Sequence, residues 1–382
     1  MKRVTLPAYR STLAVLLLLI MSASVITTVL SGNSAPSEIS QAPTNSSGLS
    51  PALRWIASNQ SSGGSFGSYN QHWAAAAAYA LWLNNTHSSK AALSYSWLAG
   101  QLSDSSNWFW GGYGEADVPG MSLYSIATSG NLQLIHLSAV ATNLLQFQQA
   151  NGGFFGYYST VLGSSVTSSV DTSEALRGLI GARAINATSQ QSAVNYLFTL
   201  QNNDGSFNLT KSKSDDNLYS QGPEPVSITA LVVLALKDAS YTSSDSHVSK
   251  ALNFLDTTIS KGFSVQNNDT TPVYSASLSA LAFDSYRRNA DAAAAIAFIL
   301  AHQNSDGGFR DSTRTSVGSN ALDTGWAAIA LQQVSPGGFF ASFLRPVLVV
   351  GIVIGVLALA GIVGVVAYLV RKNRSKAMMP NL

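Results

Sequence analysis

Cysteine is absent from this 382-residue chain. That excludes disulfides and leaves stability to the burial of apolar side chains, for which about 300 residues suffice. Charge is scarce as well, at 10% of residues. All 19 acids fall between Glu38 and Asp323, alongside 13 of the 21 Lys and Arg, so an acidic body is flanked by basic ends. A body of that sign argues against nucleic acid as a partner. The five histidines, at 72, 87, 136, 247 and 302, lack zinc-ligand spacing. There is no His-Glu-x-x-His helix, no Gly-x-Ser-x-Gly elbow, and no glycine loop ending in Lys-Ser/Thr. Sustained period-two alternation is missing too, which points to an all-α class.

The ends carry the long apolar runs. Lys2, Arg3 and Arg10 precede Leu13–Leu30, so 1–31 reads as a secretory signal or signal anchor. Residues 32–51, rich in Ser, Pro and Asn, read as a flexible linker. After a juxtamembrane stretch at 335–346, residues 347–370 are uncharged and apolar, and 371–382 form a basic tail. About 20 apolar residues span a bilayer and flanking bases stay cytoplasmic. The expectation is a single-pass cell-membrane protein with its body outside and a short tail inside. Gly351 and Gly355 form a Gly-x-x-x-Gly pair that suits a homodimer of the span. Sequons at Asn45, Asn59, Asn84, Asn186, Asn208 and Asn268 would suit a glycoprotein.

Between the linker and the span, residues 52–334 repeat themselves. Four turns align on a Gln and a Phe six positions later: "QSSGGSF" from Gln60, "QQANGGF" from Gln148, "QNNDGSF" from Gln201 and "QNSDGGF" from Gln303. Weaker copies start at Gln101 and Thr257, giving six units. Segments before the turns, such as "AVNYLFTL", place apolar residues three and four apart and read as outer helices. Segments after the loops, such as "HWAAAAAYALWL" and "ITALVVLAL", are apolar all round and read as inner helices. The "NSDGG" turns fail as calcium loops, because Asp and Glu are missing at the first and twelfth positions. Within the turn, glycine supplies left-handed backbone, Gln303 is expected to bond exposed backbone, and Phe309 to fold back onto the helices.

These Gln-x-x-Asp-Gly-Gly-Phe turns, followed by "DTSEAL" or "DTGWAAIAL", resemble the prenyltransferase and squalene oxidase repeats. The resemblance implies the α/α toroid of terpenoid cyclases and protein prenyltransferase β-subunits: six helix pairs, (α/α)6, with the C-terminal transmembrane helix in addition. It does not bring the family's chemistries. The Asp-x-Asp-Asp acid of squalene-hopene-type cyclases has no counterpart; the nearest string, Ser214-Asp215-Asp216, sits in a polar loop. The zinc site of protein prenyltransferases and the thioester of complement-type toroids each need a Cys.

In such a toroid the inner helices run the same way, so their N-termini converge on one rim. The sequence puts Asp171, Glu174 and Asp323 there, with Glu115, Asp117 and Glu224 in loops entering inner helices. Carboxylates at these positions cap their helices or favour a cation, an amine or sugar hydroxyls. Trp73, Trp108, Trp110, Tyr113 and Trp326 share the region, as core or as a stacking surface. "NWFWGGYGEAD", residues 107–117, is the most unusual stretch and the best candidate for a ligand rim. The expected role is non-catalytic binding of an extracellular glycan, lipid or protein, or scaffolding, without cofactor or metal. The alternatives are a glycan-active hydrolase or lyase, or a divergent terpenoid cyclase or prenyltransferase-like enzyme.

Overall fold

The repeated turn shows how the fold is assembled. A computed structural model of the protein describes residues 45–67, 71–85, 87–110, 113–159, 164–211, 225–265, 272–311 and 318–334. All of them lie in the second of the two units into which the chain divides, Pro43–Leu382. At Gln201 the side-chain Nε2 donates to Gly205 O across its own turn at 3.1 Å and to His247 O of the next repeat at 2.8 Å. Gln148 does the same to Gly152 O and Ser189 O, and Gln303 to Gly307 O and Gly48 O. One amide therefore closes a turn and pins it to the following outer helix. Gly205 stands at φ +94°, and a Cβ there would lie 2.2 Å from Lys250 O. Only glycine suits both the dihedral and that approach. Phe66, Phe154, Phe207 and Phe309 end their turns fully buried.

Twelve α-helices follow from these turns among the described residues. The outer ones are α1 (Asn45–Asn59), α3 (Ser88–Ser103), α5 (Leu137–Leu145), α7 (Ala187–Phe198), α9 (Ser246–Ile259) and α11 (Asn289–Ala301). The inner ones are α2 (Gln71–Asn84), α4 (Asp117–Thr128), α6 (Ser169–Gly181), α8 (Pro225–Asp238), α10 (Val273–Ser285) and α12 (Ala321–Gln333). Outer helices are amphipathic: α9 buries Val248, Ala251, Leu252 and Leu255 and exposes Lys250, Asn253 and Asp256. Each inner helix packs against the next, and α12 returns to α2, closing a ring. Gln332 Nε2 donates to Ala80 O at 3.0 Å across that closure, and Gln333 Nε2 to Tyr79 Oη at 2.8 Å.

Small residues let the inner helices approach so closely. On α2, Ala74 to Ala78 and Ala80 have no exposed surface. A Cβ on Gly120 of α4 would come within 2.6 Å of the α6 backbone at Glu174 and Ala175, and Gly178 faces Gly120 O equally tightly.

Two features correct the sequence-based picture. Short antiparallel hairpins interrupt the helices: β1 (Phe109–Trp110) with β2 (Tyr113–Gly114), and β3 (Phe154–Ser159) with β4 (Ser164–Ser168). The second pairs Phe154 with Ser168 and shifts register between Phe155 and Tyr157. That irregularity falls at Gly156 and breaks the alternation that would have announced a strand.

The second correction concerns the membrane. Among the described residues no helix is long and apolar enough to cross one. The longest, α3, has 16 residues, against about 20 for a span. The runs at 1–31 and 347–370, with Gly351, Gly355 and the basic tail, lie outside the described residues. A C-terminal transmembrane helix is therefore not part of the observed fold. The single-pass topology, the cell-membrane location and the homodimer drawn from that helix fall with it. Of the sequons, Asn186 is occupied as the N-cap of α7, accepting the Ser189 N–H at 2.9 Å.

Candidate functional site

At the start of α4 the chain gathers three carboxylates. The Glu115 N–H donates to Trp108 O at 3.0 Å, which ties the β1–β2 hairpin to the helix entrance. The N–H groups of Ala116 and Asp117 both reach Asp171 Oδ1 on α6, each at 3.1 Å. Asp171 Oδ2 accepts the Ser168 hydroxyl in a short contact, while Ser168 Oγ caps α6 by accepting the Asp171 N–H at 3.0 Å. Gly156 of β3 lies directly over this carboxylate, where a Cβ would fall 1.7 Å from its atoms. Asp117 Oδ1 accepts the Val118 N–H at 2.7 Å, and Oδ2 faces His72 Nε2 at 3.4 Å. Trp73, half-buried beside Gly67, follows His72 on α2.

Electrostatics distinguish these acids. Burial, then the neighbouring Asp117 charge, pushes Glu115 up to about 8. Burial also drives Asp171 well above the usual carboxylate range, with Asp117 and Glu115 adding to it and the Ser168 hydroxyl opposing it. Asp117, at the start of α4, contacts a backbone N–H and a histidine. The result is a half-buried Glu115 carboxyl, pushed up to about 8, next to a second carboxyl fixed in place by the Val118 N–H. Among the described residues no three His, Asp or Glu gather as a metal set.

The other expected rim residues scatter. Asp323 is fully buried in the first turn of α12, which Asn320 caps, and its Oδ2 accepts from Asn320 Nδ2 and the Asp311 N–H at 2.5 and 2.8 Å. Asp311 in turn accepts the Tyr274 N–H at the start of α10. This pair repeats what Asp171 does for α6 and α4. Trp108 has no exposed surface and packs 6.3 Å from Phe147, in the core rather than on a rim. The side chains of Trp110 and Tyr113, and all of Glu224, lie outside the described residues.

Glu174 and Trp326 face the interior of the ring. Glu174 Oε2 has no partner, and burial, with Asp117 and Asp238 assisting against Arg177, pushes its carboxyl up to about 7. Arg177, one turn along α6, was not among the residues expected from the sequence. It is 3% exposed, donates Nε to Asp238 Oδ2 at 2.8 Å, and stacks its guanidinium 4.0 Å above the Tyr124 ring. A cavity of 160 Å³ opens here, lined from the C-terminal halves of all six inner helices. The available signal was an arginine within "EALRGLI" and an aspartate closing "ITALVVLALKD", each set in a mostly apolar run.

Comparison with known proteins sets limits on these readings. The family profile that matches is the A-macroglobulin TED domain, over residues 133–308. Among curated proteins none matches. Solved structures do. A protein from Actinoplanes is 15% identical, covering 75% of this chain and 98% of its own, with a TM-score of 0.57. The type II terpene cyclase MstE from Scytonema is 14% identical over 76% of this chain and 99% of its own, at 0.56. The GH76 α-mannanase of Bacteroides thetaiotaomicron is 11% identical over 83% and 99%, at 0.51.

At such identities the likeness shows an α/α toroid and nothing finer. It corrects the prenyltransferase and squalene oxidase repeat assignment: the matching profile is a different toroid family, and likeness to a terpene cyclase stops at the fold. With no cysteine, a thioester is excluded here. The expectation of a membrane-displayed, non-catalytic body is corrected too. Its anchor is not found among the described helices, and fold relatives include a terpene cyclase and a mannanase.

Proposed function

We propose that the protein is a glycan-active hydrolase working at the N-terminal rim of the inner ring, with Glu115 as proton donor and Asp117 as its carboxylate partner. The observation that carries this reading is a half-buried, proton-holding Glu115 placed beside a second carboxyl, Asp117. Glycoside cleavage needs one carboxyl that holds a proton and one that does not, on opposite sides of the scissile bond. Glu115, raised to about 8 by burial and by Asp117, keeps its proton at neutral pH, and Asp117 is held beside it by the Val118 N–H with His72 facing its other oxygen.

In the proposed reaction Glu115 protonates the departing glycosidic oxygen. Asp117 then acts on the opposite face of the sugar, either attacking directly or activating water. Asp171 is a positioning residue, because it holds the backbone that carries both acids. Trp73 offers an apolar face for a sugar ring. The fold shared with an α-mannanase is compatible with this chemistry and does not select a sugar.

A polyene-cyclising reading fits less well. The ring cavity, at 160 Å³, is below the roughly 300 Å³ at which ordinary ligand pockets begin. It is also lined by the Arg177–Asp238 ion pair.

The test is reducing-end release from a panel of α- and β-linked polysaccharides by wild type, Glu115→Gln and Asp117→Asn. Cleavage of one glycan by wild type, lost at least 100-fold in both folded variants, supports the proposal. Inactivity of wild type across the panel, or activity retained in both variants, refutes it.

A further inference from the structure

The cavity inside the ring lies toward the opposite end of the inner helices from Asp117, which starts α4. Its wall carries two bases, Arg177 and Lys237, and two acids, Asp238 and Asp284, so their formal charges balance. A ligand with net charge of either sign would meet two like charges, which favours a neutral one. Between the charges stand groups suited to hydroxyls. Gln333 Nε2 donates to the Tyr79 hydroxyl at 2.8 Å, which orients both at the cavity. Ser285 Oγ donates to Ala282 O at 2.8 Å and keeps its lone pairs for an incoming donor. The Tyr124 hydroxyl has no hydrogen-bond partner among the described residues, and burial pushes the phenol up, so it stays neutral and able to donate. Arg177 Nε engages Oδ2 of Asp238 at 2.8 Å, which leaves Oδ1 of a side chain 30% exposed. The rest of the wall, Leu234, Leu281, Trp326 and Ile329, is apolar. At 160 Å³ the space equals about five waters of roughly 30 Å³ each, enough for one sugar ring and too little for a chain of them.

We propose that this cavity binds a single neutral monosaccharide in its pyranose form. A sugar ring carries hydroxyls at its edge and C–H groups on its faces, the two surfaces that this wall combines. Its hydroxyls accept from Tyr124 Oη and donate to Asp238 Oδ1, and a C–H face lies on Leu281 and Ile329. The ring interior then has a ligand of its own, independent of the cleavage proposed at Glu115 and Asp117.

The experiment is calorimetric titration of the full chain at about pH 6 with xylose, glucose, mannose and galactose, and with glucosamine and glucuronate as charged analogues. At least one neutral sugar should bind saturably, with both charged analogues at least tenfold weaker. Tyr124→Phe, which removes one hydroxyl, should weaken that binding at least tenfold. Leu281→Trp, which fills the cavity, should abolish it while keeping a cooperative melt; if that variant does not fold, Tyr124→Phe decides. The proposal is overturned if no neutral sugar binds, or if either charged analogue binds as well as the best of them. It is overturned equally if Tyr124→Phe or a folded Leu281→Trp leaves binding unchanged.

Discussion

Asp171 accepts the backbone N–H of Asp117 at 3.1 Å, so an acid at the start of one inner helix holds the first residue of its neighbour. The same oxygen takes Ala116 N–H, and the other takes the Ser168 hydroxyl. Helix N-termini leave N–H groups unsatisfied, and a shared carboxylate serves two helices at once. The catalytic pair proposed at Glu115 and Asp117 is attached to that junction.

Asp171→Ala should therefore destabilise the protein by about 2 kcal/mol or more, since the Ala116 and Asp117 N–H groups lose their buried acceptor. Asp171→Asn keeps one acceptor and should cost less. Gly156→Ala should approach the alanine variant in severity, because its new Cβ lands on the carboxylate. Urea denaturation of the three variants checks the order.

The turns supply an internal control. Gly63 has open space around it, with only Ser61 Oγ at 3.9 Å, whereas Gly64 stands at φ +95° and a Cβ there would fall 2.4 Å from Leu93 O. Gly63→Ala should be nearly neutral, and Gly64→Ala should cost at least 1 to 2 kcal/mol or so. Gln303→Ala, which removes one backbone contact within the last turn and one from that turn to α1, should cost roughly 2 kcal/mol. Thermal melts of the three variants read this directly.

Glu174 makes stability depend on pH with a defined sign. Its carboxyl sits at about 7 in the folded state against an ordinary 4.5. Below pH 4.5 it is protonated in both states and costs nothing. Between 4.5 and 7 the unfolded chain ionises first, so stability falls, by roughly 3 kcal/mol in full. Glu174→Gln should match wild type near pH 4 and exceed it by about that amount at pH 8.5. Urea titrations at both values decide, and an equal difference at both would show that burial of the acid is not the cause.

The ring was legible in the sequence because its signals are local and repeated. Gln201, Gly205 and Phe207 all act within one turn, and the uniform apolarity of α8 marks an inner helix. What escaped depends on distant partners. Ala116 and Asp171 are 55 residues apart, and Arg177 and Asp238 are 61 apart, so no local pattern reveals either contact. The threonines that receive the turn Phe N–H groups, Thr172, Thr229 and Thr324, were hidden for the same reason. Trp108 looked like a surface aromatic because glycines and acids follow it, yet it packs against Phe147. Of the expected rim, Glu115, Asp117 and Asp171 converge, whereas Asp323 is buried beside the Asn320 cap and bonded to the Asp311 N–H, and Glu174 and Trp326 are buried too.

The role given to Glu115 is tested most directly by varying the leaving group. Using aryl glycosides of whichever sugar the protein cleaves, wild type and Glu115→Gln are compared on a poor leaving group and on dinitrophenol. A proton donor matters only where the departing oxygen needs a proton. On the poor leaving group, wild-type rate should fall as pH rises through about 8, and the variant should lose roughly 100- to 10,000-fold. On dinitrophenol the variant should stay close to wild type. An equal loss on both substrates, or no loss on either, would contradict Glu115 as the proton donor.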